Sequence, residues 1–309
     1  TMIDTNTFLT TLYVVVDDFC KLRLPPEPAT LPMPSLTRSE VVTLALFGQW
    51  NHFPSERAFY RYATHHLRKA FPRLPDRSQL NRLIRHHNDA LTAFFLDGVQ
   101  ELRAQDCLYE ALDSSAVPTR DAKRRGTGWL PGIADIGWSN RIGWYEGCHL
   151  LLSVNPQGVI TGFGLASASS HDVRMAETFF AVRQTPHPQL PSVGHAGCGV
   201  YVADKGFAGR KNRQHWRETY QAEAIAPPQR NSKTPWSKPW RRWLAGIRQI
   251  VETVNEKLHN TFRLQRERPH EWSGLQVRLT AKIALHNFCI WFNQQLGRPN
   301  LAFADLIDW

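Results

Sequence analysis

The spacing of apolar positions changes along the chain, and each change predicts a different element. Over residues 7–24, Phe8, Leu9, Leu12, Val15, Val16 and Phe19 recur at steps suited to one buried helical face. Five prolines follow, Pro25, Pro26, Pro28, Pro32 and Pro34, which exclude helix and central strand and predict an extended connector. Thr37 lies three residues before Glu40 and directly ahead of the apolar run 41–47, the pattern of a capping box. Ser55 and Asp76 open two further short helices, and another is expected over residues 91–102. The period then shortens. Residues 107–112 are mostly apolar and read as a buried strand that ends at Asp113. Residues 147–154 and 159–165 flank Asn155-Pro156-Gln157-Gly158 and predict a hairpin. A helix is expected behind Ser169-Ser170-His171-Asp172, with Met175, Phe179 and Val182 on its apolar face, and a Pro- and Gly-rich loop over residues 186–199. A strand over 200–203 delivers Asp204, Gly206 and Gly209 turn the chain into a helix ending near Tyr220, and residues 223–226 form a short strand. Leu244, Ile247, Val251, Val254, Leu258 and Phe262 place one stripe on a helix over 243–262. The last helix, 275–296, is apolar nearly all round and is expected inside the core. The order predicts an α/β protein with an all-helical N-terminal part and no internal repeat.

A chain of 309 residues accommodates about two domains. Its net charge of +10 and pI near 9.6 point to a polyanionic partner, nucleic acid before an acidic membrane face. No apolar run reaches the roughly 20 residues that span a bilayer, and TMIDTNTFLT lacks the basic start and apolar core of a signal peptide. A cytoplasmic protein is therefore expected. Cys20, Cys107, Cys148, Cys198 and Cys289 are odd in number and form no CxxC, so they read as small core residues.

Asp113 and Asp204 follow apolar strands, and Glu252 sits on the polar face of the 243–262 helix with Arg248, Asn255, Glu256 and His259. Three hard oxygen ligands from two strands and a helix can hold two Mg²⁺ or Mn²⁺ about 4 Å apart, the arrangement of phosphodiester transfer. Glu256, one turn on, is the rival to Glu252. Histidine suits such hard ions poorly, so the 13 histidines do not compete. Neither GxSxG nor GxxxxGK[ST] occurs. Cations concentrate in two places. Arg57, Arg61, Arg68, Lys69, Arg73, Arg77, Arg82 and Arg85 lie among the short helices, where they suit helix-turn-helix docking or form a solvated surface. The stretch QRNSKTPWSKPWRR interleaves Arg241 and Arg242 with Trp236 and Trp240, either a nucleic-acid surface or a linker. The polar loop over 120–128 is a phosphate-binding or simply a surface loop, and Lys205 beside Asp204 is a phosphate contact or an ordinary surface lysine.

The segments ALDSSAVPT, GCHLLLSVNPQGVITGFGLASASSHD, VADKGFAG and RQIVETVNEKLHNTFRL, in that order, resemble the DDE transposases of bacterial insertion sequences, in the IS4, IS5 and IS982 groups, with IS982 preferred. The resemblance covers about two thirds of the chain. It implies an RNase H-like catalytic core, a mixed sheet flanked by helices, over 104–309, behind a helical DNA-binding domain over 1–103. It implies a Mg²⁺- or Mn²⁺-dependent cut at terminal inverted repeats and attack of the freed 3′-hydroxyl on target DNA, by a homodimer on double-stranded DNA in a prokaryotic cytoplasm. Asp113, Asp204 and Glu252 would form the catalytic and metal-binding triad. Arg248, four residues before Glu252, matches the Arg of the Tyr-Arg-Glu-Lys signature, whose Tyr falls at Ala245 and whose Lys falls at His259. His259 or Lys257 would then take the terminal phosphate contact. A non-cutting DNA-binding regulator and a stand-alone RNase H-like nuclease are the alternatives.

Overall fold

The computed structural model describes residues 2–27, 34–123, 128–184, 199–228 and 232–309. Pro28 and Pro32 of the connector, residues 124–127 of the polar loop, residues 185–198 with Cys198, and residues 229–231 lie outside the described residues. In chain order the elements are β1 (Ile3–Asp4), α1 (Thr5–Arg23), α2 (Arg38–Phe47), α3 (Glu56–His66), α4 (Arg77–His86), α5 (Asn88–Glu101), β2 (Glu110–Asp121), β3 (Asp135–Ser139), β4 (Gly143–Val154), β5 (Ile160–Ser167), α6 (Asp172–Gln184), β6 (Val200–Ala203), α7 (Arg210–Tyr220), β7 (Glu223–Ile225), α8 (Lys238–Asn260), α9 (Trp272–Gln295) and β8 (Ile307–Asp308). No helix among the described residues is long and apolar enough to cross a membrane.

Two compact units emerge, one from Thr1–Asp97, Leu258–Leu264 and Trp272–Trp309, the other from Gly98–Lys257 and Gln265–Glu271. The division at 103/104 read from the sequence does not coincide with them. The helical unit takes back α9, because a helix apolar on every side needs partners all round. Phe288 and Phe292 meet the Phe8 ring with centroids 5.7 and 5.5 Å away. Its helices start where their caps dictate. Thr37 and Glu40 form the expected capping box, with the Glu40 N–H on Thr37 Oγ1 at 3.3 Å and the Thr37 N–H on Glu40 Oε2 at 2.6 Å. Ser55 and Asp76 cap α3 and α4. Each such cap contributes on the order of 1 kcal/mol.

The second unit is an α/β core, a mixed sheet flanked by helices. Its sheet runs β3-β4-β2-β6-β7, with β5 also on β4. β2 is central, antiparallel to β4 and parallel to β6, and β6 is parallel to β7. β3 pairs with the first half of β4 and β5 with the second. The hairpin of β4 and β5 turns where Asn155-Pro156-Gln157-Gly158 predicts. Two differences from the sequence reading matter. β2 does not stop at Asp113 but runs on to Asp121, because β4 pairs its other edge over that whole length. The β3–β4 hairpin was not anticipated, although DIGWSNRIGWYEG alternates around a polar turn. Behind the sheet, Met175, Phe179 and Phe180 of α6 and Trp216 of α7 join Leu112, Leu151, Tyr201 and Ala203 in one apolar cluster. One ion pair is buried there. Arg183 of α6 donates to Glu110 Oε2 at 2.5 Å, to the Tyr201 hydroxyl at 3.0 Å and to the Thr161 carbonyl at 3.0 Å, while Ser153 Oγ donates to the same Glu110 oxygen at 3.0 Å. This network ties α6 to four strands.

Candidate active site

Strand register brings the two aspartates together. The pairing of β2 with β6 ends with Leu112 opposite Ala203, so Asp113 and Asp204 are the next residues on neighbouring strands, which run roughly 4.8 Å apart. There β6 ends, and Asp204 caps a single 3-10 turn, its Oδ1 accepting from the Gly206 N–H at 2.6 Å. Gly206 lies close against two carboxylates: an added Cβ would lie 2.8 Å from Asp204 Oδ1 and 2.6 Å from Asp172 Oδ2 and would push these side-chain ends aside. Asp172, which the sequence reading placed only at a helix start, is thus a further carboxylate beside Asp204.

α8 supplies the third side of the site. Arg248 Nη2 lies 3.3 Å from Asp113 Oδ1 and 3.8 Å from Glu252 Oε1, and Asn255 Nδ2 lies 3.4 Å from Asp113 Oδ2. Steps of four and three along one helix put these three side chains on one face. The Asp113 side chain is 19% exposed, whereas that of Glu252 is 59% exposed. Burial pushes the Asp113 carboxyl up to about 6; Arg248 opposes the shift, and Asp204 and Glu252 add to it by like-charge repulsion. All three acids therefore share one electrostatic neighbourhood.

The hard oxygen donors suit a divalent cation, and the repulsion felt by Asp113 is what such an ion would relieve. As the side chains stand, the Arg248 guanidinium bridges Asp113 and Glu252. Among the described residues no three His, Cys, Asp or Glu side chains are drawn together closely enough to hold a metal ion.

A family model described as a transposase DDE domain matches residues 111–288, more than half of the chain. The chain belongs to the DDE transposase family. The matched span includes Asp113, Asp204 and Glu252, and the family's activity is metal-dependent polynucleotidyl transfer. Among solved structures, the Mos1 transposase paired-end complex with left transposon end is similar over 76% of this chain and 80% of that one, at 10% identity and a TM-score of 0.23, too loose a likeness to carry an argument. No curated protein matches the chain.

The remaining cations of this transposase are distributed as follows. Lys205, Arg241 and Arg242 are exposed, and the last two stand beside Trp240 and Trp243, 59% and 45% exposed, whose rings meet at 5.3 Å. Lys257 is half-buried and Glu256 exposed. In the helical unit Arg82 is exposed, its Nε donating to Gln79 Oε1 at 3.0 Å, and Arg85 is half-buried. His259 is 5% exposed. The sequence reading also passed over Trp138 and Trp144, which face each other across β3 and β4 and are 56% and 68% exposed.

Proposed function

We propose that this DDE transposase belongs to a bacterial insertion sequence of the IS982 group or its IS4 and IS5 neighbours. It cuts at terminal inverted repeats and joins the freed 3′-hydroxyl to target DNA. The observation that carries the reading is the adjacency of Asp113 and Asp204 at the end of the β2–β6 register, with Glu252 linked to Asp113 through Arg248. Asp113, Asp204 and Glu252 would hold the divalent ions. Bound there, Mg²⁺ or Mn²⁺ supplies activation of a water or 3′-hydroxyl and neutralisation of the leaving oxygen. Arg248 would then be free to face a phosphate oxygen, and Lys205 and Lys257 would contribute further phosphate contacts. Arg241 and Arg242, with the exposed tryptophans, suit a DNA backbone and its bases. Arg82 and Arg85 give the helical unit an end-binding role, and a homodimer on DNA would bring two ends together.

The test is Mn²⁺-dependent cleavage of DNA taken from the borders of the element, by the wild type and by Glu252→Ala. Cleavage lost in the variant is expected. Equal activity in both ends the assignment, binding without any cleavage makes the protein a DNA-binding regulator, and cleavage of DNA lacking inverted repeats with no strand transfer makes it a nuclease.

A further inference from the structure

Opposed residues of an antiparallel pair point to the same face of the sheet. Leu152 lies opposite Asp113, so Cys148, Glu146 and Trp144, at even steps along β4, share the face of Asp113. Arg120 would fall on the other face if β2 ran evenly. The pairing instead shifts by one residue between Pro118 and Arg120, a bulge that sets Arg120 opposite Glu146. The two form an ion pair, each side chain 13% exposed, with Arg120 Nε donating to Glu146 Oε2 at 2.9 Å. Beside that pair, and wholly within the second unit, lies a cleft of about 640 Å³ whose walls include Lys123, Trp129, Trp144, Gln265 and Arg268. Trp144 is 68% exposed. Trp129 meets His270 edge-on, with ring centroids 4.5 Å apart. Lys123 and Arg268 are exposed, and Asp121 and Glu267 bring two carboxylates to the same walls. A phosphate alone would not need that mixture.

We infer that this cleft takes one unstacked base of the bound DNA. The volume is that of a pocket for a small organic ligand, and the two indoles offer π faces on which any base can stack. Asp121 and Gln265 supply an acceptor and a group of both kinds for a base edge, and Lys123 and Arg268 meet the flanking phosphates. A second copy of this chain would suit a purely apolar patch, whereas charges of both signs rim these rings. The place of the cleft follows from the strand. Arg120 is seven residues beyond Asp113, roughly 23 Å at about 3.3 Å per residue, or about seven base pairs of duplex. The base is therefore remote from the phosphate that is cut. The inference rests on the reading of the element's borders as the DNA this protein binds.

The experiment is fluorescence anisotropy of the full chain on border duplexes that carry one mismatch, moved pair by pair inward from the cut. A mismatch lowers the cost of taking a base out of the stack, so a protein that holds such a base binds the mismatched duplex more tightly. Wild type should gain roughly tenfold when the mismatch lies about seven pairs from the cut. Trp144→Ala and Trp129→Ala, with folding checked by circular dichroism, should lose that gain. Trp144→Phe, which keeps a ring, and Trp138→Ala, on the same hairpin but outside the cleft walls, should keep it. No gain at any position, or a gain that survives in Trp144→Ala, overturns the base site. If Trp129→Ala does not fold, the exposed Trp144 decides alone. A gain that survives in Trp144→Ala while two copies of the chain cease to associate would make the hairpin a protein interface instead. If wild type binds border DNA no better than unrelated DNA, it is the reading of the borders that falls, and the base site falls with it.

Discussion

Replacing Asp113 by asparagine should stabilise the protein at neutral pH and leave it unchanged in acid. Moving a carboxyl from its ordinary 3.8 to about 6 corresponds to about 3 kcal/mol of differential interaction between its two forms. The attraction of Arg248 is already contained in that balance, since it opposes the burial and repulsion that win. The sign follows from which state holds the proton. Between about 4 and 6 the folded chain keeps the Asp113 proton and the unfolded chain does not, so stability falls as pH rises through this window. Below it both states are protonated, and a neutral amide of the same shape behaves much as the neutral acid does. Above it the wild type carries a buried anion that Asp113→Asn lacks. The variant should therefore match the wild type near pH 4 and exceed it by about 3 kcal/mol above pH 6.5, of order 6–12 °C in melting temperature for a unit of this size. Thermal unfolding by circular dichroism from pH 4 to 8, in a chelator to keep the site free of divalent ions, measures it. A difference that does not vary with pH, or a wild type more stable at pH 7.5, would refute the account of why the Asp113 carboxyl is raised.

Two further outcomes are expected. Arg183→Met leaves Glu110, itself 0% exposed, as an unpaired buried charge and should cost about 3–5 kcal/mol in urea unfolding, with a large part recovered when Glu110→Gln is added; no recovery would show that the guanidinium acts by packing rather than by charge. If the exposed cations at the start of α8 meet DNA phosphates, Arg241→Ala and Arg242→Ala should each lower the slope of log affinity against log salt by roughly 1, whatever the DNA sequence; fluorescence anisotropy across a salt series would reveal an unchanged slope and so remove them from the interface.

Local rules placed most elements without help from the tertiary structure. The Thr37 and Glu40 box, the Ser55 and Asp76 caps, the turn at residues 155–158 and the apolar stripe of α8 are each decided within a few residues of chain. They were legible because the groups that satisfy one another are near neighbours in sequence. Asp113, Asp204 and Glu252 could be picked out in the same way, from their positions after apolar runs and within a helical stripe, helped by the resemblance of their surroundings to a known family.

What the tertiary structure alone decided concerns partners far apart along the chain. An apolar run does not announce where pairing stops, so β2 passes through Asp113 on its β4 side while its β6 side ends there. Nor does an apolar helix name the unit it fills, and α9 joined the aromatic residues of α1. Asn255 and Asp172 read as ordinary polar positions until the fold set one against Asp113 and the other against Asp204 across Gly206. His259 looked like a cation on a polar face until packing turned it inward. Burial and long-range contact are properties of the folded chain, and it is these that raise the Asp113 carboxyl.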